Sequence, residues 1–103
     1  MNFDQKVWRL CSKIPRGKVS TYKEIAKALR TDAYRAVGRA LKRNPYAPRV
    51  PCHRVVAADG RIGGFAGRRK GKKISKKISL LRKEGIKIKN SKIINFEKKV
   101  HRF

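Results

Sequence analysis

The sequence predicts a single domain, residues 1–103, that is mainly α-helical with a small β-hairpin and belongs to the winged-helix-like helix-turn-helix class. Three observations support this prediction. The chain has 103 residues, of which 40% are hydrophobic, and this suffices for one small core. Apolar residues recur at helical spacing in several segments. Two of these segments are short and follow one another across a tight turn, as in a helix-turn-helix pair.

The first predicted helix covers residues 3–13. Basic residues separate its apolar positions, which recur at helical spacing. These positions are Phe3, Val7, Leu10, Cys11 and, just beyond, Ile14. Cys11 lies on the apolar face, so we interpret it as a small core residue rather than a reactive thiol. Trp8 is also predicted to belong to the core.

The helix-turn-helix pair is predicted at residues 22–29 and 33–43. Thr21 and Glu24 have the pattern of a capping box for the first helix, and Thr31 or Asp32 offers an N-cap for the second. The second helix carries a face of small and basic residues, which could approach a groove closely. They are Ala33, Arg35, Ala36, Gly38, Arg39, Ala40 and Lys42. A plain helical hairpin is the alternative, because helix pairs are common in small α-rich domains.

The rest of the chain is predicted to alternate short strands and helices. Asn44-Pro45 ends the second helix of the pair. A strand at 55–58 precedes a hairpin turn at Asp59-Gly60, and Arg61-Ile62 begins the returning strand. After a glycine-rich loop, residues 74–84 form a helix with a solvated basic face, ended by Gly85. A second small hairpin at 86–94 and a final helical turn within 96–103, with an exposed His101, complete the prediction.

The charge of the chain points to a polyanionic partner. Lys and Arg total 30 against 6 Asp and Glu, a formal net charge of +24. Such an excess destabilises an isolated fold by self-repulsion, and nucleic acid is the usual compensation. Adaptation to heat or to salt is the alternative, but heat adaptation usually enriches Lys and Glu together, and here the acids are few.

Other compositional features argue against several protein classes. The start of the chain has no signal-peptide pattern, and no apolar run approaches membrane-spanning length. Two cysteines, Cys11 and Cys52, make neither a disulfide framework nor a Cys-rich zinc site. We therefore expect a reduced, cytoplasmic protein with no membrane partner and no metal.

The candidate site is the segment Pro51-Cys52-His53-Arg54-Val55, which places a cysteine beside one of only two histidines. A free thiol is mostly protonated at neutral pH, and a neighbouring base or cation is the usual means of forming the thiolate. The proline restricts the backbone before Cys52 and so helps to fix the direction of its sulfur. By itself, a Cys-His pair is a weak signal.

Several motifs in order resemble the active-site domain of the O6-alkylguanine-DNA alkyltransferases, also called methylated-DNA–protein-cysteine methyltransferases. The resemblance covers roughly residues 3–88 and is specific because the motifs recur in the same sequence order. The residues that carry it are Ile14 to Tyr22, Arg35-Ala36-Val37-Gly38, Asn44-Pro45, Pro51 to Val56, and Leu80-Leu81 before Glu84-Gly85.

The resemblance implies a direct transfer of an alkyl group from guanine O6 in DNA to Cys52. By this resemblance His53 would act as the base through a bridging water, and Glu84 would orient its ring. Asn44 would position the active-site turn, and Tyr22 would donate a proton to the departing guanine. The reaction would use no cofactor or metal, and each molecule would act once.

The resemblance also implies a monomer bound to double-stranded DNA that contains alkylated guanine. Arg35 would enter the duplex where the nucleotide is extruded, on a helix that approaches the minor groove. The other expected DNA contacts are Thr21, Tyr22, Ala36, Gly38 and Arg39. The expected substrate pocket consists of Pro51, Val55, Phe65 and Ala66.

Three departures from the family pattern are visible. The additional N-terminal domain of many members is expected to be absent. The loop after Gly67 is longer and strongly basic, so it either adds phosphate contacts or is disordered. Phe65 and Ala66 stand where many members have a tyrosine and a serine, which removes two hydroxyl donors to the base.

Three other functions compete with alkyl transfer. Alkyltransferase-like proteins share the single-domain plan and flag alkylated guanine for excision repair, but they typically lack the reactive cysteine. A helix-turn-helix transcription factor would leave the placement of His53 and Glu84 unexplained. A cysteine hydrolase is the least favoured, since no substrate cleft is evident beside the basic surface. The presence of Cys52 with a base and an orienting carboxylate favours transfer.

Overall fold

The fold is mainly helical, with two small two-stranded sheets, in the part of the chain that the computed structural model describes, residues 1–63 and 71–103. The predicted substrate-pocket residues Phe65 and Ala66, and most of the basic loop after Gly67, lie outside the described residues. The helices are α1 (Phe3–Cys11), α2 (Tyr22–Ala28), α3 (Tyr34–Lys42), a 3-10 turn (Cys52–Arg54), α4 (Lys72–Lys83) and α5 (Phe96–Lys99). The strands are β1 (Ser20–Thr21), β2 (Val55–Val56), β3 (Ile88–Lys89) and β4 (Lys92–Ile93).

Helix α1 begins at a capping box and ends two residues before the predicted boundary. The Asn2 side chain accepts a hydrogen bond from the Gln5 amide at 2.9 Å, and the Gln5 side chain accepts one from the Asn2 amide at 3.0 Å. After Cys11 the chain tightens into turns that lead to Pro15, whose ring disfavours a helical conformation for the residue before it. Trp8 is half-buried, and its indole Nε1 donates to the Ala40 carbonyl of α3 at 2.7 Å.

Helices α2 and α3 confirm the predicted pair but differ in how they begin. Thr21 caps α2 as expected, since its hydroxyl accepts from the Glu24 amide at 3.0 Å. Neither Thr31 nor Asp32 is the N-cap of α3. That position is Ala33, which has no side-chain capping bond, and the Thr31 hydroxyl accepts from the Ala33 amide instead. The short polar side chain thus stabilises the connecting turn rather than the helix.

The predicted pairing of the strand at 55–58 was wrong. Strand β2 pairs in parallel with β1, with Val55 opposite Ser20 and Val56 opposite Thr21. The turn at Asp59-Gly60 does form, because the Gly60 amide donates to Ala57 and the Ala57 amide donates to Arg61. However, Arg61 then bridges to Lys92 rather than extending a strand beside β2. Turn residues predict a reversal of the chain, whereas the partner of a buried strand is decided by distant residues.

The predicted second hairpin is confirmed. Strands β3 and β4 are antiparallel, with Ile88 opposite Ile93 and Lys89 opposite Lys92. The two residues between them, Asn90 and Ser91, both have positive φ angles, 52° and 59°. Positive φ at both central positions characterises the two-residue turn that matches the twist of a hairpin.

Two buried clusters hold the elements together. One lies among the first three helices and the 3-10 turn, and the other joins the sheets to α4. The first comprises Val7, Cys11, Ile14, Ile25, Ala26, Val37, Ala40, Leu41 and Val55. The second comprises Val19, Val56, Ile62, Leu81, Ile86, Ile88 and Ile93. Strand β2 contributes one valine to each cluster, so the segment that follows Cys52 is anchored in both.

Helix α4 departs from the expectation of a wholly solvated basic face. It spans Lys72–Lys83 rather than 74–84, and Lys77 within it is completely buried. Lysine is almost never buried without partners. Here the Lys77 ammonium donates to the carbonyls of Val55 and Ile62, at 2.8 and 2.7 Å.

The C-terminal residues add a further edge to β1. The Val19 amide donates to Lys99, and the His101 amide donates to the Val19 carbonyl at 2.6 Å. The Ser20 hydroxyl donates to the His101 carbonyl at 2.8 Å. His101 is therefore half-buried rather than exposed as predicted. In the described ranges, no helix combines the length and the apolar character that crossing a membrane requires.

Candidate active site and candidate nucleic-acid interface

The nucleophile candidate stands at the start of a single 3-10 turn rather than on a strand. The Cys52 amide donates to the Val50 carbonyl at 2.8 Å, and the Arg54 amide donates to Pro51 at 2.9 Å. The Val55 amide closes the turn on the Cys52 carbonyl. With three residues per turn, consecutive side chains fan out around the axis instead of alternating between opposite faces. Cys52 and Arg54 are half-buried, whereas His53 is 2% exposed.

The surroundings of Cys52 favour the neutral thiol over the thiolate. Burial raises the pKa of Cys52, while a hydrogen bond from Asn44 and the charge of Lys77 lower it less strongly. Cys11, which lies in the first core, has its pKa raised by burial to about 12 and is inert at neutral pH. Of the two cysteines, only Cys52 therefore has the exposure and the polar surroundings of a nucleophile, and it needs a base.

His53 has the geometry of a neutral base. Its Nε2 lies 3.1 Å from Glu84 Oε2. A carboxylate can only accept, so Nε2 carries the proton and Nδ1 has a free lone pair. Nδ1 is buried and has no hydrogen-bond partner among the described residues. Burial also lowers the pKa of His53, against the opposing effect of Glu84, and keeps the ring neutral at pH 7.

Glu84 is held by Arg54 as well as by His53. Arg54 Nε donates to Glu84 Oε1 at 2.8 Å, and Arg54 Nη2 donates to Oε2 at 2.7 Å. A third donor, Nη1, bonds the Ile14 carbonyl at 2.8 Å. Burial alone would raise the pKa of Glu84, but the hydrogen bonds from Arg54 and His53 outweigh burial and lower it. The carboxylate therefore stays charged, and its orientation is fixed by a bidentate pair.

Sequence reasoning assigned no role to Arg54 or Lys77, although each contacts the segment that carries the candidate nucleophile. Nothing in the sequence around Arg54 indicates its pairing with Glu84, which lies 30 positions further on. For Lys77 a signal existed. It lies three positions after Ile74 and four before Leu81, on the apolar face of α4, where a solvated lysine would be out of place.

Asn44 links the end of α3 to the candidate nucleophile. Its amide nitrogen donates to the Val50 carbonyl at 2.9 Å, and its carbonyl oxygen accepts from the Tyr46 amide at 2.9 Å. A further hydrogen bond from Asn44 lowers the pKa of Cys52. The structure thus brings four of the five predicted catalytic residues into one connected group, namely Asn44, Cys52, His53 and Glu84.

Tyr22, the fifth predicted catalytic residue, begins α2 directly after the capping residue Thr21. Its side chain is half-buried, and its hydroxyl lies 3.4 Å from where a Cβ would stand on Gly63. Gly63 has a positive φ of 72° and is the last described residue before the segment 64–70. Of the predicted pocket residues, Pro51 and Val55 are buried on either side of the 3-10 turn.

Helix α3 presents its predicted contact residues on an accessible face. Arg35 and Arg39 are exposed, and Ala36 and Gly38 are half-buried. A Cβ at Gly38 would meet nothing within 4 Å, so the helix is open to a close approach there. Its opposite face packs Val37, Ala40 and Leu41 into the first core. Within residues 1–63 and 71–103, no group of three or more His, Cys, Asp or Glu side chains is placed to hold a metal ion.

Comparison with known proteins identifies this arrangement. Residues 2–86 match the sequence model of the DNA-binding domain of 6-O-methylguanine DNA methyltransferase. A methylated-DNA–protein-cysteine methyltransferase of Thermococcus kodakarensis is 50% identical over 86 residues, which are 82% of this chain and 45% of that protein. The chain spans about half the length of the curated relatives it matches.

Solved structures give the same family. Mycobacterium tuberculosis OGT, in a crystal structure in complex with DNA, is 41% identical with a TM-score of 0.72, over 82% of this chain and 50% of that one. S. pombe Atl1, in complex with damaged DNA containing O6-carboxymethylguanine, is 30% identical with a TM-score of 0.83, over 98% of this chain and 95% of that one. The chain therefore belongs to the 6-O-methylguanine DNA methyltransferase family, and its residues 2–86 are the DNA-binding domain of that family.

Proposed function

We propose that this protein repairs DNA by transferring the alkyl group of an O6-alkylguanine, such as the methyl of O6-methylguanine, to Cys52. The single observation that carries the proposal is the partly buried pair of His53 and Glu84, joined at 3.1 Å, with His53 directly after the half-buried Cys52. Nucleophile, base and orienting carboxylate are the three parts that an activated nucleophile requires. The curated relatives named as methyltransferases support the same reaction.

The reaction is a displacement at the alkyl carbon. His53 Nδ1 takes the Cys52 proton through a bridging water, and Glu84 stabilises the imidazolium that results. The thiolate forms a new bond to the alkyl carbon as the bond from that carbon to guanine O6 breaks. Tyr22 supplies a proton to the departing guanine and recovers one from solvent, while His53 releases the thiol proton to solvent, so the overall reaction exchanges the thiol hydrogen for the alkyl group. A thioether does not hydrolyse readily, and each molecule therefore acts once, without cofactor or metal.

The same proposal covers how the lesion reaches Cys52. The oxygen of a stacked base is out of reach, so the nucleotide must be extruded, and a damaged base costs less to unpair. In this proposal α2 and α3 act as the helix-turn-helix of a winged-helix-like domain, with α3 in the minor groove. The open backbone at Gly38 suits that narrow groove, and the exposed Arg35 fills the gap left by the nucleotide. The protein would act as a monomer, inside the cell, on double-stranded DNA.

Intact-protein mass spectrometry after incubation with a duplex containing one O6-methylguanine tests the transfer. We expect a gain of one methyl group per protein, mapped to the peptide that contains Cys52. Cys52→Ala should gain nothing while binding DNA as tightly as the parent. Cys11→Ala is the matched control, because it removes the other thiol and should transfer normally. Methyl transfer by Cys52→Ala at the parent level would refute the mechanism.

A second function is favoured by one observation. The likeness to Atl1 extends over 98% of this chain and 95% of Atl1. The likeness to the M. tuberculosis OGT structure covers only 50% of that protein. A protein of this plan could recognise alkylated guanine and signal its excision without repairing it. No methyl gain, together with tighter binding to a lesion duplex than to an undamaged one, would establish that function instead.

A further inference from the structure

Three cations lie side by side on the hairpin of β3 and β4, outside the active site and outside α3. Lys89 is opposite Lys92 in the antiparallel register of the hairpin, and Lys92 is opposite Arg61 through an antiparallel bridge. Side chains of directly opposed residues in an antiparallel pair lie on the same face of the sheet. The three side chains therefore form one row across three adjacent segments of backbone, which we call the cation row.

The core of the protein fixes the spacing of the cation row. Ile88 and Ile93 are buried in the second cluster. Because successive side chains of a strand point to opposite faces, Lys89 and Lys92 point to solvent, and both are exposed. The Ile93 amide also donates to the Gly60 carbonyl at 3.0 Å, which ties the hairpin to the turn before Arg61. A slip of one residue would expose both isoleucines, so the register that aligns the cations is strongly specified.

The described residues compensate little of the charge of the cation row. Within residues 1–63 and 71–103, neither Lys89 nor Lys92 makes an ion pair with an acidic side chain. Arg61 approaches Asp59 at 3.4 Å, but these side chains are 74% and 55% exposed, and such a pair contributes little. Like charges directly opposite one another destabilise a sheet. The row therefore costs stability in the free protein, and a bound anion would relieve that cost.

The cation row begins close to a segment of the proposed DNA complex. Arg61 is two positions before Gly63, and a chain extends by at most about 3.6 Å per residue, so their backbones lie within about 7 Å of each other. The hydroxyl of Tyr22, an expected DNA contact, lies 3.4 Å from where a Cβ would stand on Gly63. From Arg61 the row continues over two strand spacings, about 10 Å in all.

We propose that the cation row binds phosphates of the DNA duplex beside the stretch that α3 contacts, and so extends the footprint of the protein along that duplex. This proposal rests on the DNA binding proposed above. Each strand of DNA carries one phosphate per 3.4 Å of helix axis, so a row of about 10 Å matches about three phosphates. Such contacts position the protein without reading sequence. Lys89 and Lys92 lie beyond residues 2–86, which match the family's DNA-binding domain, so their contacts add to the interface of that domain.

The first test measures how DNA affinity depends on salt in two double variants of equal charge. The row variant is Lys89→Gln with Lys92→Gln, and the control is Lys6→Gln with Lys13→Gln, which removes two exposed lysines at α1. Affinity for an undamaged duplex is measured by anisotropy. For the row variant we expect the slope of log affinity against log salt to fall by nearly two, at about 0.9 per lost contact, and the affinity at 100 mM salt to fall about tenfold. The control should keep the slope of the parent.

The second test locates the contact by hydroxyl-radical footprinting on a duplex with one central O6-methylguanine. Cys52→Ala serves as the background, so that the complex does not react. Adding the two row substitutions should remove protection on one side of the lesion and leave protection at the lesion itself. The control pair should leave the whole footprint intact. Melting temperatures without DNA accompany both tests. The row variant should melt higher than the parent at low salt, because repulsion is relieved, and this difference should shrink as salt is added.

Three outcomes would overturn the assignment. A row variant with the salt slope of the control would show that the row does not contact phosphates. An unchanged footprint would show that it does not contact this duplex. A lowered melting temperature, with protection lost everywhere, would show that the lysines serve the fold instead. Failure of lesion recognition is distinct, because Cys52→Ala alone would then give no positioned footprint, and failure of alkyl transfer shows as no methyl gain in the parent. The salt slope on undamaged duplex decides the role of the row in either case.

Discussion

Glu84 accepts from both Arg54 and His53, and its loss should therefore affect stability and reaction together. Glu84→Gln keeps the shape but leaves the half-buried Arg54 guanidinium without its anion. Removing one partner of a buried pair costs about 3–5 kcal/mol, and we expect a loss in the free energy of unfolding near the lower end. The methyl transfer rate should also fall, because His53 loses the carboxylate that orients it.

Urea unfolding and single-turnover mass spectrometry measure the two effects. Glu97→Gln is the control, because the Glu97 side chain is 80% exposed and its ion pair among the described residues is with Arg102. It should change stability by less than about 0.5 kcal/mol. A Glu84→Gln variant as stable as this control would show that the pair with Arg54 contributes little.

The neutral state of His53 predicts the acid side of the pH profile. The pKa of His53 is lowered in the fold, so the unfolded chain binds the proton more tightly. The folded protein therefore loses stability as the pH falls through about 6.5, and the loss ends once folded His53 is also protonated. Below that folded pKa the base is occupied, and the transfer rate should decline.

Single-turnover rates between pH 4.5 and 7, with melting temperatures at each pH, test whether rate and stability both fall as the pH is lowered. The midpoint of the rate decline should lie below 6.5, and His101→Gln should leave it unchanged. A midpoint above 6.5 would mean that the pairing with Glu84 outweighs burial and raises the pKa of His53.

At this scale, sequence and structure agree where a motif fixes both residue type and spacing. Cys52 and His53 are adjacent and could be proposed from the sequence alone. Asn44 and Glu84 could be proposed as site residues only through the family resemblance, and the contact between Glu84 and His53 crosses 31 positions. Arginine and lysine side chains ordinarily face solvent, so residue type alone predicts that Arg54 and Lys77 lie at the surface.

Among the elements, α3 carries the clearest expectation about DNA. Arg35→Ala should weaken extrusion of the lesion more than it weakens general DNA binding, since one exposed side chain fills the gap while many cations contact phosphates. A fluorescent base analogue opposite the lesion reports extrusion, and anisotropy reports binding. Arg9→Ala removes an exposed arginine from α1 and is the control. An unchanged analogue signal in Arg35→Ala would contradict the role of Arg35.

Gly38 offers a test in which stability and affinity should move in opposite directions. Glycine inside a helix costs roughly 0.5–1 kcal/mol relative to alanine, and the space around Gly38 is open. Gly38→Ala should therefore raise the free energy of unfolding, and Gly38→Leu should remain folded. If α3 enters a narrow groove, Gly38→Leu should lose DNA affinity strongly.

Thermal unfolding and DNA titration of the same two variants decide this point. Gly71 lies at the start of α4 with a positive φ of 89°, a backbone conformation that strains any side chain. Gly71→Ala should therefore lower the free energy of unfolding, in contrast to Gly38→Ala. Parent-like DNA affinity in Gly38→Leu would place α3 away from the groove.

The helices were predictable to within one or two residues at most ends because their apolar residues repeat with a helical period. The β3–β4 hairpin was predictable because its partner strands are adjacent in sequence. The pairing of strand β2 was predicted wrongly because two buried valines carry no information about their partner strand. That partner, β1, lies 35 positions earlier in the sequence. Local patterns report local structure, and long-range pairing follows from packing.

For the molecule as a whole, the net charge of +24 predicts a steep dependence of DNA affinity on salt. Each phosphate contact releases condensed counterions, and a protein that makes 6–10 such contacts loses about 10³–10⁵ in affinity between 50 and 200 mM salt. We expect a loss in this range for undamaged duplex, measured by anisotropy. A nearly flat dependence would show that the charge serves something other than DNA.

The pairing of Val19 and Ser20 with the C-terminal residues has a consequence for how the chain folds. Ser20 and His101 are 81 positions apart, so this edge requires closure of nearly the entire chain. The entropy of closing so large a loop must be lost before any of its hydrogen bonds can form. Helices α1 to α3 depend on nearby contacts, and we expect them to assemble first. The C-terminal edge should then join in a slower step, visible as late protection of the Val19 and His101 amides in pulsed hydrogen exchange.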